Sequence, residues 1–575
     1  MADLPDAVEL IAGEMRLWSD NVPGARRPAV RGSVAAALVA AVLTDAGKPV
    51  RVLVAGPHTG EVTQAVAESG HEAVFVVRSL SDADVLAARH RRVRVVCGGL
   101  DAFKEEPFDV VIALDGAERI LSNDSPQQDW RGRVELLVGL LVENGTMLFS
   151  LDNPLSLLTF ADARSPAERR DTGDWEPPSY VDPSRPGSLS EAREVLEELR
   201  LTVSAHSAFP LTTAPAVVAE VETGDLSDLR VQRAIRISCT QALAGRELLF
   251  DPTAETVSAI AAGRGPELAP GWVFLLTRGA ATTTLPQVVF EDYPGRPLAA
   301  VLRLDDGQAT VLDTGRAGDA SRTGHLRPLT RSGPAEGLLV EGRLLTGVLA
   351  ALALGEDLVA LRSVAGSYLR WVRDSADPRQ AMFATPDNTV TGDPAGSFAL
   401  LDGTWSWTGE VTADLAVARV ALATARELLD RRLRRIWPPW MGAAELARSL
   451  ASRIGADVPA QVWESAAALD AALAGPIEPE LVLDADLRGL RALNEQLSAE
   501  LVAARGQLFA HQRLVENRDR QLEQRSNRIL EATRAAASSR AELDALRSSK
   551  TYRAGRALQH PVRSVRAVAR RLRNR

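Results

Sequence analysis

The stretch Val52-Leu-Val-Ala-Gly-Pro-His-Thr-Gly60 reads as an apolar run, a glycine turn and the mouth of a helix. A short apolar run bounded by a turn suits a strand buried on both faces. The glycine behind it allows a sharp turn and a close approach of the backbone to a ligand. Amides at the start of the following helix then point towards that ligand.

Working outward from this turn, the same alternation continues. Strands are predicted at Val50–Ala55, Glu72–Val77, Arg92–Val96, Phe108–Leu114 and Thr146–Leu151. Between them, Glu61–Ser69, Asp82–Arg89 and Trp130–Val142 carry helical spacing. Strands alternating with helices imply parallel pairing, hence an α/β sheet. Residues 163–188, rich in Pro, Ser, Arg and Asp, read as a loop over that sheet. Helix Ser190–Leu199 follows, and strands Leu201–Ser207 and Ala216–Glu222 close the domain near residue 225. Residues 1–33 read as a helical lead-in, so the first domain is expected over 34–225.

A chain of 575 residues should form more than one domain. Its most apolar early stretch, Val34–Leu43, is about half the length of a membrane span and reads as a buried helix. No signal peptide is apparent at the N-terminus. Two distant cysteines, Cys97 and Cys239, suit a reducing cytoplasm and exclude a disulfide framework or a cysteine zinc cluster. Lysine occurs only at Lys48, Lys104 and Lys550; every other basic side chain is arginine. The net charge is −9, yet the residues from Ser548 onward hold nine basic groups and no acid, which leaves the first 547 residues near −18. So acidic a body argues against general nucleic-acid binding.

The ordered pieces resemble the class I S-adenosylmethionine-dependent methyltransferase family, a Rossmann-like α/β fold. Gly56 and Gly60 match the outer glycines of the family's first motif, with His58 at the middle one. Phe108-Asp-Val-Val-Ile-Ala-Leu-Asp-Gly-Ala-Glu-Arg-Ile-Leu121 looks like its fourth motif, and Leu140–Pro154 like the segment after it. The resemblance implies cofactor contacts from Gly56, His58, Gly60, Asp101 and Asp115. It also calls for a ribose-binding acid at the end of the second strand. Here Phe75-Val-Val-Arg-Ser79 holds none, and Asp82 or Asp84 a turn later would have to substitute. Glu118 and Arg119 occupy the turn after the fourth strand and are the candidate catalytic pair. Each of these residues also has a purely structural reading: a tight turn, a loop position or a solvent-facing helix start.

Residues 226–480 mix strands (Trp272–Leu276, Gln287–Phe290, Ala299–Arg303, Phe398–Leu401) with helices (Leu344–Leu354, Thr412–Arg432) and read as a second domain. Pro386-Asp-Asn-Thr-Val and Ser397–Trp405 resemble part of the kinase-like fold, which implies Asn388 and Asp402 as magnesium ligands for Mg-ATP. The phosphate-binding lysine is missing, since none lies between Lys104 and Lys550. This region is either a degenerate kinase-like α+β domain, a pseudokinase, or an unrelated α/β domain with a coincidental match.

Residues 487–546 carry a seven-residue repeat at Leu501, Leu508, Val515, Leu522, Ile529, Ala536 and Leu543, the pattern of a coiled coil through which chains self-associate. Residues 547–575 form a basic tail, with a helix expected to start at Pro561 and lie on an anionic membrane. Methyltransferase, kinase-like domain and coil occur in this order in the methyltransferase–kinases of bacterial O-antigen polysaccharide synthesis. That resemblance implies methyl transfer to a cell-envelope glycan or its lipid-linked precursor, a glycosyltransferase partner, and a cytoplasmic chain held peripherally on the inner face of the plasma membrane. A catalytically degenerate scaffold for glycosyltransferases is the alternative.

Overall fold

The computed structural model describes residues 8–11, 15, 17, 19–20, 32–122, 124–126, 128–163, 182–210, 215–243, 248–250, 252–279, 283–292, 300–305, 308–312, 329–331, 342–392, 396–430, 436–438, 441–474, 515, 518 and 520–573. The chain divides into two units, 1–488 and 489–575.

In the first unit, five strands alternate with helices: β2 (Arg51–Ala55), α2 (Gly60–Glu68), β3 (Glu72–Val77), α3 (Leu80–Arg89), β4 (Arg94–Cys97), β5 (Phe108–Ala113), α4 (Trp130–Gly139) and β6 (Leu141–Asp152). They lie in the order β4-β3-β2-β5-β6, all parallel. Along β2, Val52 and Val54 face one apolar core while Leu53 and Ala55 face the other. Side chains alternate across a strand, so a strand apolar at every position is covered on both faces. On the first face lie α1 (Ser33–Asp45), α2 and α3; on the second lie α4 and α5 (Leu189–Glu198). Helix α1 is apolar almost all round because nine of its thirteen residues are buried.

Three features depart from the sequence-based expectation. The described part of the lead-in is not helical: β1 (Val8–Leu10) adds a parallel strand beside β4. Helix α4 stops at Gly139 rather than Val142, and β6 starts at Leu141, with Asn144 at φ 63 making an irregular step before the long regular run. The largest difference concerns Trp272–Leu276. It belongs to β9 (Gly271–Arg278), which inserts antiparallel between β6 and β7 (Leu201–Phe209). The expected hairpin of β7 with β8 (Val217–Glu220) is present, but helices α6 (Leu229–Ala242) and α7 (Pro252–Ala261) and a short helical turn at Gly265–Leu268 precede the strand that fills the gap beside β6. The sheet therefore continues past residue 225. Beyond β8 it is extended by β10 (Val288–Asp292), β11 (Ala300–Asp305) and β12 (Gln308–Leu312), which the sequence places in a separate domain.

The rest of the first unit is mainly helical. Helices α8 (Leu345–Leu354), α9 (Leu358–Arg373), α10 (Ala413–Asp430), α11 (Ala443–Ser452) and α12 (Ala460–Ala474) enclose a core around Tyr368. The stretch Pro476–Pro479 lies outside the described residues.

In the second unit, residues 520–548 are helical and Val515, Leu522, Ile529 and Leu543 are exposed along the chain. Leu501 and Leu508 of the same repeat lie outside the described residues. Helix α13 (Lys550–Leu572) is capped by the Ser549 hydroxyl, which accepts a bond from the Tyr552 amide. It starts eleven residues before the expected Pro561, and Pro561 is accommodated within it.

His206 sits on β7 between β8 and β9, where burial pushes its imidazole pKa down to about 4 against the upward pull of Glu220. It stays neutral in the folded chain at pH values where the unfolded chain takes up a proton. Stability is then full above pH 6.5, the ordinary value, and falls by about 1.4 kcal/mol per pH unit as pH drops towards 4. Urea unfolding at pH 7, 6 and 5 should show a flatter acid dependence for His206→Leu than for the natural chain. Equal slopes would refute this account of the acid sensitivity.

Candidate functional site

In an open parallel sheet, ligands bind in the crevice outside the carboxyl ends of the strands. Gly56 follows β2 with φ +85, a conformation that side-chain-bearing residues disfavour. Its amide donates to the Val76 carbonyl at 2.9 Å, which ties the turn to β3. Gly60 opens α2, and a Cβ there would lie 2.6 Å from the Arg89 guanidinium. His58 is buried between strands β2 and β5. Its Nδ1 donates to the Gly56 carbonyl at 3.0 Å, and its Nε2 accepts the Leu114 amide, also at 3.0 Å. Those bonds require the neutral ring, and burial lowers its pKa accordingly. A residue expected at a cofactor contact thus latches the glycine turn to the end of β5.

At the tip of β3 the expected acid is replaced by Arg78, one of the largest fully buried side chains. Its Nε and Nη2 hold the two carboxylate oxygens of Asp20 at 2.8 and 3.1 Å, and its Nη1 donates to the Leu121 carbonyl at 3.4 Å. Asp20 is 5% exposed and Arg78 1%, so both charges are out of water. Removing one partner of such a pair leaves an uncompensated buried charge, at a cost of about 3–5 kcal/mol. Asp20 comes from the lead-in, and two further residues grip its backbone. Asp82 accepts its amide at 2.8 Å and also binds the Ser19 hydroxyl, while Arg119 donates to its carbonyl at 2.8 Å. Burial pushes the Asp82 carboxyl up, with the Ser19 and Asp20 bonds opposing.

Asp115 and Arg119 form an ion pair one helical turn apart after β5. Arg119 is thus committed to Asp115 and to Asp20, which makes it a brace rather than a reacting group. Glu118 is half-buried and held by Arg185 at 3.1 Å. Loss of water raises its carboxyl pKa, with Arg185 opposing. Asp101 follows β4 in a short 3-10 turn, Leu100–Ala102, and its Oδ1 accepts the Ser125 hydroxyl at 2.6 Å. The same edge therefore gathers Gly56, His58, Asp82, Asp101, Asp115, Glu118 and Arg119. Arg78 and Asp20 join them without any local sequence signal, because their partnership spans 58 positions.

Asn388 and Asp402 also meet, but not as two free ligands. The Asn388 amide nitrogen donates to the Phe383 and Asp402 carbonyls at 3.0 and 2.9 Å, and its oxygen accepts the Asp402 amide at 3.0 Å. The Asp402 carboxylate binds the Thr404 amide and hydroxyl at 2.8 and 2.6 Å. Asn388 thus ties together the turn ahead of β13 (Thr389–Thr391) and the end of β14 (Phe398–Leu400). Among the described residues, no group of three or more His, Cys, Asp or Glu is placed to hold a metal ion.

No protein-family model matches the chain, and no curated protein matches it. Solved structures do. One is a Burkholderia thailandensis 1,6-didemethyltoxoflavin-N1-methyltransferase holding S-adenosylhomocysteine, at 26% identity and TM-score 0.17 over 21% of this chain. The match spans 52% of that enzyme's length. A Thermotoga maritima S-adenosylmethionine-dependent methyltransferase, described as a possible histamine N-methyltransferase, matches at 12% identity and TM-score 0.24, over 43% of this chain and 89% of that one. The [4+2]-cyclase SpnF matches at 16% identity and TM-score 0.25, over 43% and 82%. Likenesses of that size decide nothing about chemistry, and the Rossmann-like fold rests on the strand order described above.

The His58 latch is directly testable. His58→Phe keeps a ring in place but leaves the Gly56 carbonyl and the Leu114 amide without their partner, at a cost of about 2 kcal/mol. The urea midpoint should fall accordingly at unchanged slope. An unchanged midpoint would show that the latch contributes nothing.

Proposed function

We propose that the chain is an S-adenosylmethionine-dependent methyltransferase. The observation that carries this reading is the strand order: parallel β4-β3-β2-β5-β6 followed by antiparallel β9 and then β7, with a glycine turn at the tip of the central β2. The residues at that edge fit the cofactor. Gly56 leaves its turn open, since a Cβ there would meet nothing nearer than 3.6 Å. A carboxylate stands at the tip of β3, although it belongs to Asp20. Asp101 stands at the tip of β4, where an adenine would lie. When bound, the cofactor supplies an electrophilic methyl group. The protein must then orient an acceptor and remove its proton. Glu118 suits that second task, because its raised pKa favours taking up a proton.

Calorimetric titration with S-adenosylhomocysteine tests this reading. Micromolar binding is expected, and Gly56→Val should abolish it, since a β-branched residue resists φ +85. No heat at millimolar ligand would overturn the proposal in favour of a non-catalytic scaffold. The structural commitments of His58, Arg119, Asn388 and Asp402 favour that second reading.

We further propose that the acceptor is a cell-envelope glycan or its lipid-linked precursor, reached by a cytoplasmic chain resting on the inner face of the plasma membrane and associating with itself and a glycosyltransferase. Support comes from α13. By helical spacing in the sequence, the exposed Leu558 falls in line with Val562, Val565, Ala569 and Leu572, and Arg566 and Arg570 are exposed on the same helix. Such a helix suits an anionic interface, where each basic residue contributes roughly 1 kcal/mol. No described helix is long and apolar enough to cross a membrane. The exposed stripe Leu522, Ile529, Leu543 supports self-association through a coiled coil. The order Asn388, β13, β14, Asp402 supports a kinase-like ancestry without its magnesium chemistry or Mg-ATP turnover. Liposome flotation should rise with anionic lipid for the full chain and be lost in a chain ending at Arg547. Equal flotation of the two would remove the tail from the proposal.

A further inference from the structure

Strands β2 and β5 are neighbours in the sheet, and the turns at their tips touch. A Cβ on Gly56 would come within 3.6 Å of the Ile120 side chain and 3.7 Å of the Arg119 carbonyl. The turn that carries Glu118 therefore lies against the glycine turn. Gly116 shapes it at φ +75, and a Cβ there would collide with Oε2 of Glu118. The glycine thus leaves the space that the Glu118 carboxylate fills. The two oxygens of that carboxylate differ. Oε1 accepts a bond from Nε of Arg185 at 3.1 Å, while Oε2 accepts no hydrogen bond from the described residues. Asp115, on the same turn, commits both of its oxygens to Arg119.

Arg185 reaches Glu118 because the short turn that carries it is fixed to the same rim. The Arg185 amide donates to the Asp182 carbonyl at 3.2 Å. Oδ1 of Asp182 accepts the Ser184 amide and hydroxyl at 3.0 and 2.7 Å, which closes residues 182–185 on themselves. Two side chains of this turn then cap α4. Oδ2 of Asp182 accepts the Trp130 amide at 2.6 Å, and the Ser184 hydroxyl oxygen accepts the Arg131 amide at 3.2 Å. The first amides of a helix have no partner within it, so the turn is held where it satisfies them. The Arg185 side chain is 9% exposed and that of Glu118 33%. A buried guanidinium thus backs a carboxylate that still meets solvent.

We propose that Arg185 is the positioning residue for Glu118: by holding Oε1, it leaves Oε2 to take the acceptor's proton. Glu118 is the catalytic residue, and its orientation is set by a turn 67 positions away. This assignment rests on the methyltransferase reading above. Burial raises the Glu118 pKa most; Arg185 and Arg133 pull it down, while Asp152 and Asp115 push it up. Without Arg185 the carboxyl should therefore take up its proton at a higher pH than in the natural chain.

The test is calorimetry on the full chain with S-adenosylhomocysteine and with sinefungin, across about pH 5 to 8. Sinefungin carries an ammonium group where the cofactor carries its transferable methyl, so a free carboxylate oxygen at the reacting centre favours it. The natural chain should prefer sinefungin roughly tenfold to a hundredfold, the worth of a hydrogen bond between charged groups. The preference should fade as pH falls and Glu118 takes up its proton. Glu118→Gln should show no such preference at any pH. Arg185→Met should show a smaller one that fades at a higher pH, and Arg185→Lys, which restores a positive charge, should move the fade back towards the natural chain. Melting curves report the folding of each variant. A purely structural Arg185 would lower the melting temperature of Arg185→Met and leave the ratio of the two affinities, and its pH midpoint, where they were. That result overturns the assignment, as does a natural chain that binds both ligands equally, and in either case the methyltransferase reading stands. If the natural chain binds neither ligand, both fall together.

Discussion

The architecture of the first unit depends on one strand, Gly271–Arg278. It pairs over seven residues with β6 and over eight with β7, so neither of those strands is an edge of the sheet. Its apolar side chains divide between the two faces: Val273 and Leu275 join the core under α1, while Trp272, Phe274 and Leu276 join the core under α4 and α5. Everything between β8 and β9 is a detour that must leave the sheet and return. Helices α6 and α7 make that detour, and α6 carries it to the helical region, where Arg233 meets Asp387 at 3.2 Å and Arg236 meets Thr346 at 3.0 Å. The helical region is therefore bound to the sheet through the same segment that completes it.

The parallel half of the fold was legible because its signals are local. An apolar run ended by glycine marks β2 to within one residue, and the apolar stretch Glu72–Val77 coincides with β3. Helix α3, expected from Asp82, starts instead at Leu80, because the Ser79 hydroxyl caps it by accepting the Asp82 amide at 3.2 Å. The antiparallel half was not legible in the same way. Leu201–Phe209 and Val217–Glu220 make a hairpin that looks like a proper end to a domain, and nothing in Trp272–Leu276 says which strands it will separate. The strand itself is legible and its partners are not, since pairing at long separation leaves no periodicity to read.

The site divides along the same line. Gly56, Asp101, Asp115 and Glu118 stand where sequence order puts them, because each follows a strand end. His58 and Arg119 stand there too, but their bonds to Gly56, Leu114, Asp115 and Asp20 give them structural work that a motif comparison cannot distinguish from ligand contact. Arg78 was visible only as a missing acid. That its charge is answered by Asp20 follows from the buried pair and not from any spacing, since a charge held out of water has to be matched by whatever segment can reach it.

The late arrival of β9 also bears on how the chain is made. Synthesis proceeds from the N-terminus at roughly 5–20 residues per second, and domains tend to fold as they emerge. Strands β6 and β7 leave the ribosome well before Gly271–Arg278 does. During that interval the two strands that will flank β9 have unpaired backbone edges and apolar faces with no partner, the arrangement most prone to pairing with another chain. The nascent protein must pass through this stage on every round of translation, so its yield in a cell is tied to how quickly one strand follows the detour that precedes it.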